Sequence, residues 1–259
     1  MKRRHCLCIA LLAFLGLTCL SYSQTETEGL PGRTAIQAGL GFEYLNQTVS
    51  WDDGDQESNL KSYMITLNGG IEIIEGFTLG AFVGFASSNL DSLVFRELPI
   101  SLEMDAGSIN GFALGGEAEF TLFSSYDFEI GIIGQYIYFS GKEKEWEIPG
   151  LSVEGTATGK PKWQRARIGV SFEYKGFDYF YPYASVYYNR LRGNFEMQES
   201  IEELAKTEDK DIKGKANFGV GLGGTYEFTE SIKLTVGADI MPYSGGIDFG
   251  GIIRILFEF

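Results

Sequence analysis

Glu117 and Glu119 stand two residues apart, a spacing that in an extended strand brings both carboxylates to one face, where a pair can do acid–base work. The same spacing makes an ordinary polar stripe, and little else in the chain supports chemistry. The single histidine, His5, and all three cysteines, Cys6, Cys8 and Cys19, crowd into the first 19 residues. There Met-Lys-Arg-Arg precedes an apolar run from Ile9 to Leu20 and the small-x-small stretch Ser21-Tyr22-Ser23, the pattern of a cleaved export leader over 1–23. The run of about 12 residues falls short of the roughly 20 a membrane helix needs. Lipidation of Cys19 is the alternative fate of this segment, although Gly16-Leu17-Thr18 is a poor approach to a lipidated cysteine. A chain matured at Gln24 keeps neither His nor Cys, which excludes the usual zinc sites, a Ser-His-Asp triad and a thiolate nucleophile. It also avoids wrong disulfides in an oxidising compartment.

Oxygen ligands remain. Asp52, Asp53, Asp55 and Glu57 crowd carboxylates into one short stretch that could hold a Ca²⁺, but the spacing of a full calcium loop is missing, and a solvated acidic tip is the simpler reading. No firm metal site and no cofactor follow. Between Glu196 and Asp211, Glu199, Glu202, Glu203, Glu208 and Asp209 surround Ile201 and Leu204, the composition of either a short surface helix or a charged loop. Of 21 basic residues Lys2, Arg3 and Arg4 lie in the leader, so 18 face 35 acidic ones and the mature net charge is −17. Such a surface repels nucleic acid.

The elements that position these groups are strands. After the leader no segment is long and apolar enough for a membrane helix, so any span is built from strands. From Thr34 to Leu45, Ile36, Ala38, Leu40, Phe42 and Tyr44 alternate with Gln37, Gly39, Gly41 and Glu43, the period of two that puts apolar groups on one face. Similar alternation predicts ten strands, near 34–45, 60–73, 77–88, 107–122, 127–140, 163–175, 179–190, 214–228, 231–241 and 249–259. Tight turns at Glu75-Gly76, Ser124-Ser125, Lys175-Gly176-Phe177 and Thr229-Glu230 alternate with longer connections, as in a barrel with one periplasmic and one external rim. Eight or twelve strands are alternatives.

A second signal separates a membrane barrel from a soluble sandwich. On the apolar face aromatics recur eight positions apart in five strands: Phe77 and Phe85, Phe112 and Phe120, Phe128 and Tyr136, Phe218 and Tyr226, Phe249 and Phe257. Eight tilted residues span on the order of 21 Å along the membrane normal, close to the ~25 Å apolar band of transmembrane barrels. The expected fold is an all-β, antiparallel up-and-down transmembrane β-barrel over 34–259, behind a short periplasmic tail at 24–33.

The last strand resembles the C-terminal signal of bacterial outer-membrane proteins, carried here by Ile253, Ile255, Phe257 and the terminal Phe259. The whole mature chain is similar in pattern to small barrels of the OmpA and OmpX kind, without identifying a subfamily. The resemblance implies an outer-membrane location, outer-membrane lipid as solvent, recognition of the last strand by the barrel-assembly machinery, periplasmic chaperones during export, and a monomer. Barrel enzymes of this size, the omptin proteases among them, use a histidine, so the resemblance does not extend to catalysis.

If the apolar parity faces lipid, the other faces the lumen. Inward bases are Arg165, Arg167, Lys233 and Arg254; inward acids are Glu43, Glu72, Glu117, Glu119, Glu129, Glu173, Glu227, Asp239 and Glu258. Arg167, Arg254, Glu117 and Asp239 fall near mid-strand and are expected to form a central salt-bridge cluster. These charges either pair and fill the barrel or line a narrow pore that favours cations. The sequence thus points to a structural or small-solute channel protein without catalysis, with surface binding through acidic loops as the alternative.

Overall fold

The computed structural model describes residues 35–51, 56–91, 93–95, 102–147, 155–201 and 204–259. The leader, the 24–33 tail and Asp52, Asp53 and Asp55 lie outside them. Fourteen strands follow one another: β1 (Ile36–Trp51), β2 (Glu57–Ile74), β3 (Phe77–Leu90), β4 (Leu93–Phe95), β5 (Leu102–Met104), β6 (Gly107–Ser124), β7 (Phe128–Gly141), β8 (Lys144–Glu147), β9 (Gly155–Tyr174), β10 (Phe180–Ile201), β11 (Leu204–Gly214), β12 (Phe218–Thr229), β13 (Ile232–Tyr243) and β14 (Gly246–Glu258).

Ten of them close a ring in the order β1, β2, β3, β6, β7, β9, β10, β12, β13, β14, each antiparallel to its neighbours. β14 returns to β1 over Gln37↔Glu258 to Asn46↔Phe249. These are the ten strands expected from the alternation. β8 and β11 enlarge the sheet to twelve strands, β8 beside β9 and β11 between β10 and the outer end of β1, and β4 and β5 form a separate hairpin. At the tight-turn rim Gly76 adopts φ 76°, a conformation that favours glycine, and its N–H donates to Glu72 Oε1 at 2.9 Å.

The outward face is apolar and open, with Ile65 63%, Phe85 66% and Phe218 63% exposed. So large an uncovered apolar band belongs in lipid. Its aromatics sort into two levels. Phe77 meets Phe120 with ring centroids 6.1 Å apart towards the tight turns, and Phe85 meets Phe112 at 5.2 Å towards the long connections. Ile253, Ile255, Phe257 and Phe259 all lie on this face.

The expected helix or loop around Glu196–Asp211 is instead a hairpin. β10 and β11 pair from Arg192↔Lys213 to Ile201↔Leu204, because alternate residues here are buried, Phe195, Met197 and Glu199 inward against exposed Glu196 and Gln198. That is period two, not 3.6. β11 then crosses to β1 through Val49↔Gly214, Ser50↔Lys213 and Trp51↔Ile212. Above the membrane it takes the place beside β1 that β14 holds lower down.

Candidate functional site: the filled lumen

The inward face of the ring divides into three levels. At the periplasmic end Lys175 pairs with Glu129, which also accepts from Thr121 Oγ1 at 2.7 Å. Lys233 bridges Glu227 at 3.1 Å and Glu258 at 2.9 Å, and the Tyr181 hydroxyl donates to Glu227 at 2.9 Å. Glu119 lies at this level, exposed, and has no ion-pair partner among the described residues.

The middle level holds three arginine–carboxylate pairs. Arg254 grips Glu117 with two parallel bonds, Nη1 to Oε1 at 2.6 Å and Nη2 to Oε2 at 3.0 Å, the bidentate geometry that makes such pairs specific. Arg167 Nη1 donates to Asp239 Oδ2 at 2.8 Å, the Tyr187 hydroxyl donates to Oδ1 at 2.9 Å, and the guanidinium lies 4.7 Å from the Tyr187 ring centre. Arg165, with no exposed side-chain surface, pairs with Glu43 and donates to Gln135 Oε1 at 3.1 Å. β9 and β1 stand five strands apart around the ring, so the Arg165–Glu43 pair crosses the barrel from wall to opposite wall. The structure thus joins Arg254 with Glu117 and Arg167 with Asp239, while Lys233 and Glu119 stay outside this level. Glycines make room for the tyrosines: a Cβ at Gly219 would lie 2.5 Å from the Tyr187 ring, and one at Gly223 2.6 Å from that of Tyr183.

Above the arginines the lumen is packed with large apolar side chains, among which Gln47, Ser62, Ser88, Asn189 and Glu199 are also buried. Leu45, Leu60, Ile137, Phe139, Trp163 and Phe195 all point inward at 0–1% exposure. Trp163 stacks on Phe139 at 5.4 Å and 24°, and its Nε1–H donates to Ser88 Oγ at 3.1 Å, which donates in turn to Ser62 Oγ at 2.9 Å. The β4–β5 hairpin caps the plug from inside, burying Leu93 and Phe95 completely, with Phe95 5.8 Å from Phe195. Parity within the expected strands turns Leu45, Leu60, Ile137, Phe139 and Trp163 inward, whereas Phe195, Leu93 and Phe95 fall in stretches expected to be connections. The available signal was a run apolar on both parities, such as Tyr136-Ile137-Tyr138-Phe139, which marks a strand buried on both faces.

Chemically the arrangement pairs six of the inward acids with bases and leaves Glu119 without one among the described residues. Glu117, one half of the carboxylate pair suited to acid–base work, is held in both oxygens by Arg254. Among the described residues no group of three or more acids, His or Cys could hold a metal. Glu57, from the acidic stretch, is exposed and pairs with Lys215.

The family model of the autotransporter β-domain matches residues 31–239. No curated protein sequence matches the chain significantly. Among solved structures the outer membrane protease OmpT of Escherichia coli is similar with a TM-score of 0.50 at 12% identity, over 90% of this chain and 100% of that one. The translocator domain of the autotransporter NalP of Neisseria meningitidis gives 0.48 at 13% identity, over 96% of both chains. The transport unit of the autotransporter AIDA-I of Escherichia coli gives 0.43 at 12%, over 92% and 94%. The likeness to OmpT is one of fold.

Proposed function

Because the chain belongs to the autotransporter β-domain family and is an outer-membrane barrel of the translocator type, we propose that it is a sealed, non-catalytic member that acts at the cell surface through the β9–β10–β11 extension. The observation that carries this reading is the apolar plug, whose Trp163, Phe139 and Phe195 are 0–1% exposed across the outer half of the lumen. An ion crossing it would exchange its hydration shell for packed aromatic and aliphatic side chains and a few hydroxyls already hydrogen-bonded to Trp163 and to each other, which costs far more than thermal energy. Most of the inward acids that favoured a cation pore are engaged below the plug, where Glu43, Glu117, Glu129, Glu227, Asp239 and Glu258 each have a basic partner. Above the membrane Glu196, Asp209 and Asp211 face outward on the extension, a surface suited to a ligand rather than a permeant solute. Assembly machinery and periplasmic chaperones are its expected partners in reaching the membrane, and it works as a monomer.

Planar-bilayer recording of the refolded full chain tests the reading. The expected result is insertion without steady conductance. A steady cation-selective current, reduced by Glu119→Gln, would replace the sealed barrel by the narrow channel.

A further inference from the structure

We propose that Arg190, Arg192 and Lys162, together with Lys213, form a binding site for the phosphate groups of outer-leaflet lipid on the outer wall of the barrel. These residues lie on the outward face of β10, β9 and β11, with Arg190, Arg192 and Lys213 exposed and Lys162 half-exposed. Tyr188, in the outer aromatic level, stacks edge-on with Phe218 at 5.6 Å. Arg190 and Arg192 follow it two and four residues further out, which in a tilted strand raises them by roughly 5 and 10 Å above the aromatic belt. That is the level at which lipid headgroups replace acyl chains.

The sign of the patch is opposed to that of the molecule. The full chain carries −14, yet here Arg192 stands directly opposite Lys213 on one side and Gln164 on the other, and Lys162 stands opposite Asn194. Arg190, Arg192 and Lys162 have no ion-pair partner among the described residues, and Lys160, one step further out, stands opposite the acidic Glu196. Gln164 contributes a donor: its Oε1 accepts from the Tyr136 hydroxyl at 2.6 Å, which leaves the amide N–H groups turned away from that bond. Two arginine forks beside an amide and a lysine suit phosphate oxygens, which arginine meets with two parallel bonds.

The test uses the purified full chain in maltoside micelles, titrated with diphosphoryl lipid A, with the same lipid dephosphorylated, and with inorganic phosphate, bound ligand being counted by native mass spectrometry. Wild type is expected to retain the diphosphoryl lipid in preference to the dephosphorylated one. Since each base near an anionic lipid surface contributes roughly fivefold in affinity, R190Q/R192Q should weaken retention about 25-fold while K160Q leaves it unchanged. All three proteins should keep heat-modifiable migration, which establishes that the barrel is folded. Equal retention of the two lipids by wild type overturns the proposal without recourse to a variant. So does equal retention by wild type and R190Q/R192Q. Displacement of the lipid by low-millimolar inorganic phosphate would assign the site to free phosphate and overturn the lipid assignment.

Discussion

Replacing Glu43 by Gln preserves the shape of the side chain and removes one charge from the most enclosed ion pair in the barrel. Its partner Arg165 has 0% exposed side-chain surface, and Glu43 only 12%. After the change the guanidinium keeps two neutral acceptors at best, the new amide oxygen and Gln135, and its Nε and Nη1 already have no protein acceptor. An uncompensated buried charge of this kind costs about 3–5 kcal/mol. The pair between Lys215 and Glu57, where Glu57 is 51% exposed, provides the scale: Glu57→Gln should cost under about 1 kcal/mol, because water and salt screen it. The pair Arg254–Glu117, with Glu117 32% exposed, should fall between. Removing both charges of the enclosed pair, E43L/R165M, also removes the desolvation penalty, so the double variant should recover to within about 1 kcal/mol of wild type or exceed it. Reversible urea unfolding in lipid vesicles, followed by the fluorescence of the three tryptophans, reads all four proteins. If Glu43→Gln costs no more than Glu57→Gln, or if the double variant is less stable than Glu43→Gln, the buried pair does not behave as a compensated charge.

Two further outcomes follow from the plug and the outer rim. Trp163→Ala empties a fully enclosed site and strips Phe139 of its stacking partner; it should lower stability by about 3–5 kcal/mol, and W163A/F139A should pass measurable current in the bilayer where wild type passes none. Asp248, 3% exposed, accepts from Thr48 N–H at 2.9 Å and Thr48 Oγ1 at 2.8 Å; Asp248→Ala leaves the Thr48 N–H without this acceptor and should lower stability to urea by about 1–3 kcal/mol.

The sequence by itself determined what depends on neighbours along the chain. Period-two alternation located all ten ring strands, because a strand with one face in lipid must repeat its apolar residues every second position. The eight-residue aromatic spacing placed Phe77 with Phe120 and Phe85 with Phe112 on two levels, because the thickness of the apolar layer is fixed by the lipid and not by the protein. The parity that turned Ile253 and Phe257 outward turned Arg254 inward. Only the tertiary structure decided what those inward residues meet. Arg165 finds Glu43 over a separation of 122 residues, and that meeting depends on strand number and register all round the ring, which no local pattern encodes. The β10–β11 hairpin escaped detection because charged residues crowd the alternation of buried and exposed positions there, and β11 reaches β1 only through a pairing across the barrel. The plug is of the same kind: Leu45, Phe139 and Trp163 are merely inward apolar residues on three strands until closure of the barrel brings them together and buries them.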